Sequence, residues 1–121
     1  MKSVEELLIT ETTEYDLKEA LEIKKPKDWL KTISAFANTA GGTIYFGITD
    51  NRDIKGLLNA QYDAEKISEL IHSRITPLPY FILSAFKIED NDIIAVKVLA
   101  GDTTPYFLSK RWNSNSIYPN R

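Results

Sequence analysis

A helical repeat that stops at a pair of glycines and passes straight into a β-rich run is the feature that most restricts this chain. Trp29, Leu30, Ile33, Phe36, Ala37 and Ala40 recur at the three-and-four spacing of one helical face. Pro26 suits a first helical turn and Gly41-Gly42 supplies a left-handed stop, so a helix is expected over about 26–40. Thr43-Ile44-Tyr45-Phe46-Gly47-Ile48-Thr49 follows at once, rich in β-branched and aromatic residues, and reads as a central strand.

The other segments fit that frame. Ser3-Val4-Glu5-Glu6 has the form of a capping box ahead of a short opening helix. Tyr15 and Leu17 alternate with charged neighbours, as in a half-buried strand, while 19–25 is ambiguous between strand and helix. Ile54-Lys55-Gly56-Leu57 reads as a short partner strand. A second helix is expected from about Ala64 to Ile75, with Ile67, Leu70, Ile71 and Ile75 on one face, Asp63 as cap, and Pro77 and Pro79 beyond it. Residues 82–88 and 93–98 flank Asp90-Asn91, a hairpin-turn signal. Pro105-Tyr106-Phe107-Leu108 reads as a last edge strand. The expected fold class is therefore α+β: two main helices packed on a mixed sheet of about five strands, in a single domain.

Composition removes whole classes of chemistry. The chain has 121 residues, no cysteine and one histidine, His72. Disulfide frameworks, thiolate metal sites, cysteine nucleophiles and histidine-rich metal centres are excluded. No apolar run approaches the ~20 residues needed to cross a bilayer, and acids at Glu5 and Glu6 stand where a signal peptide would be apolar. A cytoplasmic protein with no membrane partner is expected. His72 is expected to be partly exposed and hydrogen-bonded locally, and Asn38 to be a capping or turn residue.

The formal charge is −2, but it is unevenly spread. Residues 17–31 hold five lysines against three acids, and residues 105–121 hold Lys110, Arg111 and Arg121 with no acid. Local patches could therefore meet a polyanion. Solvated surface charge is the plainer reading. Near the basic tail, Trp112 and Tyr118 could stack on bases, or equally belong to a hydrophobic tail that packs on a neighbour.

Three motifs bear on chemistry. Gly41-Gly42 precede a strand, whereas a phosphate loop runs strand, glycines, helix, and no G-x-x-x-x-G-K-[ST] string occurs. No G-x-S-x-G elbow is present, and Ser34 and Ser68 fall within helices. Glu11, Asp16 and Asp50 could gather around Mg²⁺ or Mn²⁺, which take oxygen ligands. Positions 11 and 16 differ by five and would face opposite ways on one unbroken strand, so Thr12-Thr13 would have to bulge or turn.

The stretch from Lys31 to Asp50, with Ala35-Phe36-Ala37-Asn38-Thr39, Gly41-Gly42, Gly47 and Asp50, resembles the signature of the Schlafen AlbA-like domain family. Agreement continues through Ile54-Lys55-Gly56-Leu57, 67–77 and Pro105-Tyr106, so the likeness runs from about Glu11 to Leu108. It implies a DNA-binding domain of the kind found in bacterial proteins labelled transcriptional regulators. An older ATPase-like label on the family is not supported by this chain, which lacks the phosphate loop.

On this resemblance the expected function is nucleic-acid binding, DNA or RNA, without a required cofactor. Lys18, Lys24, Lys25, Lys27, Lys110 and Arg111 would meet phosphates, and a homodimer would double the contacts. An alternative implied by the same family is a Mg²⁺- or Mn²⁺-dependent endoribonuclease. Glu11 would be its first carboxylate and Asp50 its third, with Asp16 as the second, an Asp where the family has Glu. A third reading is a protein-interaction or sensory domain without catalysis. Ile117-Tyr118-Pro119-Asn120-Arg121 departs from the family's closing strand, because proline lacks a strand donor. The domain is expected to occupy 1–121, with truncation after about 108.

Overall fold

The computed structural model describes residues 14–102 and 105–109. The expected capping box at Ser3–Glu6, the Thr12-Thr13 turn and the tail from 110 lie outside them. Strand β1 (Tyr15–Lys18) leads through helix α1 (Lys27–Ala37) to β2 (Gly42–Phe46), and β1 and β2 pair in parallel. Helix α2 (Ala60–Arg74) follows, then the short β3 (Ile75–Thr76), the hairpin β4 (Phe81–Ile88) and β5 (Asn91–Val98), and β6 (Phe107–Leu108). The main sheet has the order β1-β2-β5-β4, and β3 pairs with β6 in a separate two-stranded ribbon. Among the described residues the result is α+β, two helices on a mixed sheet, with four strands in the sheet proper.

Register divides the sheet into two faces. Ile44 and Phe46 of β2 lie beside Val96 and Ile94 of β5 and face the helices. There they join Leu30 and Ile33 of α1 and Ile67 and Ile71 of α2, all fully buried. Trp29 meets Phe46 edge to face, with ring centroids 5.6 Å apart. On the opposite face Leu17, Tyr45, Ile48, Ile88 and Ile93 form a second cluster with Ile54 packed against it. Burial of apolar area on both faces supplies the main stabilisation.

Four local expectations are corrected. Ile54 forms only an isolated antiparallel bridge with Ile48, so 54–57 is not a strand. The helix expected from Ala64 begins at Ala60 and is capped by Asn59, whose Oδ1 accepts from Tyr62 N–H at 3.1 Å, rather than by Asp63. The hairpin turn is Glu89-Asp90, both at positive φ (52° and 66°), one residue earlier than Asp90-Asn91. Residues 19–25 form neither helix nor strand. As expected, His72 is exposed, and its Nδ1 lies 2.8 Å from the Ser68 carbonyl one turn back.

The helix expected to run to Ala40 and stop at the glycine pair ends instead at Ala37 with Asn38 as its cap, and Gly41-Gly42, beyond the turn at 38–40, work by close packing. Gly41 has φ +90°, and a Cβ there would lie 2.7 Å from the Val98 carbonyl oxygen. A Cβ on Gly42 would meet the Phe36 ring at 2.7 Å. A side chain is excluded at both positions, so the pair is a tight contact in the passage from α1 to β2.

Candidate nucleic-acid interface

The basic segment between β1 and α1 is held in place by its own backbone. Trp29 Nε1–H donates to the Glu22 carbonyl at 3.0 Å, and Leu30 N–H donates to the Pro26 carbonyl at 3.0 Å. These bonds fix the 22–26 bend, and with it Lys24 and Lys25, against the start of the helix. Lys27 and Lys31 are four residues apart on α1, one turn or about 6 Å along its axis, so they share a face. Lys24, Lys25, Lys27 and Lys31 are all exposed.

The neighbouring acids decide whether that charge is available. Glu19 is bridged to Lys55 at 2.7 Å and Asp28 to Lys18 at 2.7 Å. Among the described residues, none of Lys24, Lys25, Lys27 or Lys31 forms a salt bridge, and of the acids in this segment Glu22 alone forms none. Four lysines against one glutamate leave a local excess of three positive charges. The uncapped amino end of α1 adds partial positive charge, since Pro26 offers no side-chain cap.

Lys18 does not belong to this surface. It is half-buried, with its ammonium 2.7 Å from Asp28 and 3.4 Å from Asp16. Burial pulls its pKa down, but the hydrogen bond to Asp28 and the charges of Asp16 and Asp28 outweigh that and leave it raised. The Lys18 hydrogen bond, followed by its charge, holds the Asp28 carboxyl below its usual range. Lys18 thus ties the β1 edge to α1, and a phosphate could reach it only by displacing carboxylates. Lys110 and Arg111 lie outside the described residues.

The three carboxylates of the metal reading are placed as follows. Asp16 shares β1's helix-facing side with Lys18, and its Oδ2 accepts from Thr32 Oγ1 at 3.5 Å. Asp50 is exposed in the turn that follows Ile48. In that turn Thr49 N–H donates to the Asp53 carbonyl at 2.9 Å and Asp53 N–H to Thr49 Oγ1 at 3.0 Å. Glu11 lies outside the described residues. Among the described residues no three His, Asp or Glu side chains gather closely enough to hold a metal ion.

Two features escaped the sequence reading. Lys31 is exposed and forms no salt bridge, although its charge helps to lower the Asp28 pKa, and its i+4 spacing from Lys27 was the available signal. Asn38 does more than end α1: its Nδ2–H donates to the Tyr106 carbonyl at 2.7 Å, and its Oδ1 accepts from Tyr106 N–H at 2.7 Å. Gly101 N–H adds a 2.7 Å bond to the Ala37 carbonyl. Nothing in local spacing marks a bond between positions 38 and 106.

Fold and surface together define a small α+β domain: one parallel βαβ crossover, a hairpin completing the sheet, and a cationic helix start. The chain belongs to the Schlafen, AlbA_2 family, whose model matches residues 11–119. It is 33% identical over 101 residues to an uncharacterised ATP-binding protein of Ureaplasma parvum, covering 75% of this chain and 28% of that protein. The chain therefore spans under a third of the length of that relative. It is similar in fold to the N-terminal domain of a RecG-related protein of Nitrosomonas europaea (TM-score 0.67, 19% identity, 93% of this chain and 84% of that one). A protein of Corynebacterium diphtheriae is similar over 76% of this chain and 18% of its own (TM-score 0.53, 20% identity). Among the described residues no helix is long and apolar enough to cross a membrane.

Proposed function

We propose that this domain binds the sugar–phosphate backbone of a nucleic acid, DNA in the first instance, through Lys24, Lys25, Lys27 and Lys31. The observation that carries the reading is that these four exposed lysines lack salt bridges while two of the three nearby acids are already bridged elsewhere. Family membership supports it, as does the naming of the Nitrosomonas neighbour for DNA helicases. Contacts of this kind fix position on a strand and carry little sequence information. Lys110 and Arg111 carry no part of the reading. The nuclease alternative is not adopted, because the Asp16 carboxylate already faces Lys18 and Thr32.

The test is a salt titration of binding to labelled duplex DNA, single-stranded DNA and RNA. Four phosphate contacts give a slope of log K against log[salt] of about −3 to −4. Reversing Lys24, Lys25, Lys27 and Lys31 together to glutamate should abolish binding while leaving the fold intact by circular dichroism. Binding that survives the reversal with an unchanged slope refutes the assignment.

A further inference from the structure

We propose that β4 is a self-association edge, and that two copies of this chain pair their β4 strands antiparallel about a two-fold axis through Ser84. The inference is independent of the nucleic-acid reading. Among the described residues β4 pairs on one side only, with β5, although it spans eight residues. Edges of that length are ordinarily blunted by charge, proline or a bulge. Here Lys87 is the single charged residue between Phe81 and Ile88, and Asp92 neutralises it at 2.9 Å.

The hydrogen-bond phase fixes the register. Leu99 N–H donates to the Tyr80 carbonyl at 2.9 Å, which makes Tyr80 and Leu99 a hydrogen-bonded pair of the antiparallel ladder. Pairs of this kind alternate along the strand, so the even-numbered residues of β4 direct their backbone groups at β5. Phe81, Leu83, Ala85 and Lys87 therefore direct theirs outward. Pro79, next in that outward series, has no N–H to offer, and the Glu89-Asp90 turn closes the other end. The midpoint of 81–87 is Ser84. A two-fold there engages all four outward residues of each copy and makes about eight backbone bonds within the strands, whereas moving the axis to Leu83 or Ala85 leaves about six within them. Eight lies within the usual range of about ten per specific interface.

Side chains agree with that register. Ile82 and Tyr80 lie on the helix-free face and are 53% and 57% exposed. Across the axis Ile82 falls opposite Phe86 of the second copy, and Tyr80 opposite its Ile88. Exposed Ile82 thus meets the half-buried Phe86, Tyr80 meets only the edge of the buried Ile88, and the two Lys87 ammonium groups fall far apart. Strand β1 at the other edge is only four residues long, which favours a closed pair over a filament.

The experiment uses the full chain. Sedimentation equilibrium from low to high micromolar concentration should show the mass rising to twice that of one chain. At the axis the two Ser84 residues form a non-hydrogen-bonded pair with Cα atoms about 4.5 Å apart, within disulfide reach. The chain contains no cysteine, so Ser84→Cys with oxidised glutathione should give one cross-linked dimer on a non-reducing gel. Ala85→Pro removes an outward N–H and spares the β5 ladder, and should weaken association at least about tenfold. A single-chain mass at every concentration, or Ser84→Cys that stays uncross-linked, overturns the proposal. The cross-linking result decides it even where Ala85→Pro fails to fold.

Discussion

At the scale of single residues, Asn38 illustrates a motif position whose value is structural. Its amide substitutes for a strand partner by satisfying both backbone groups of Tyr106. Asn38→Ala leaves two part-buried groups without partners, which costs about 1–3 kcal/mol. The expected result is a fall in Tm of roughly 4–12 °C by calorimetry, with affinity for nucleic acid unchanged below the transition. The turn and the cap failed to be read for a similar reason. Asp90-Asn91 and Asp63 have the right chemistry, yet tertiary pairing of Ile88 with Asn91 put the turn one residue earlier, and Asn59 held the prior claim to the helix start. Composition marks such positions only to within a residue or a turn.

At the scale of elements, the Lys18–Asp28 bridge couples β1 to α1 and gives a pH dependence with a definite sign. The folded-state pKa of Asp28 is lowered, so its stabilisation exists above the unfolded value of 3.8 and is lost as pH falls through the folded value. The folded-state pKa of Lys18 is raised, so its share is present below 10.5 and lost as pH rises beyond it. Because the Asp28 side chain is 81% exposed, the effect is small, about 0.5 kcal/mol or less. Comparing the Tm of the native chain and Asp28→Asn across pH should show a difference on the intervening plateau that vanishes at both extremes. The same substitution leaves Lys18 with Asp16 alone, and nucleic-acid affinity at low salt should rise rather than fall. The helix itself was legible because its apolar period is strong. The pairing of its acids was not, since it depends on β1 lying alongside.

At the scale of the whole molecule, the sheet's two faces and two edges have different fates. The helix-covered face was foreshadowed by periodicity, and the split into a four-stranded sheet with a separate two-stranded ribbon was not, because strand order is a long-range property. If two copies join through β4 and each carries a four-lysine surface, the assembly offers twice the phosphate contacts. Ala85→Pro should then roughly halve the salt slope measured for duplex DNA as well as the mass. An unchanged slope alongside a halved mass would mean that each copy binds its own strand.

The bond between Asn38 and Tyr106 spans 68 positions of chain, so closing it carries the loop entropy of everything between, the second helix and the hairpin included. Any excised fragment that stops short of position 106 would lose that latch, the buried Tyr106 side chain and the β3–β6 pairing together, however complete its main sheet. The smallest autonomous unit therefore extends past that tyrosine, and a deletion series from the carboxyl end should lose cooperative melting abruptly there rather than by degrees.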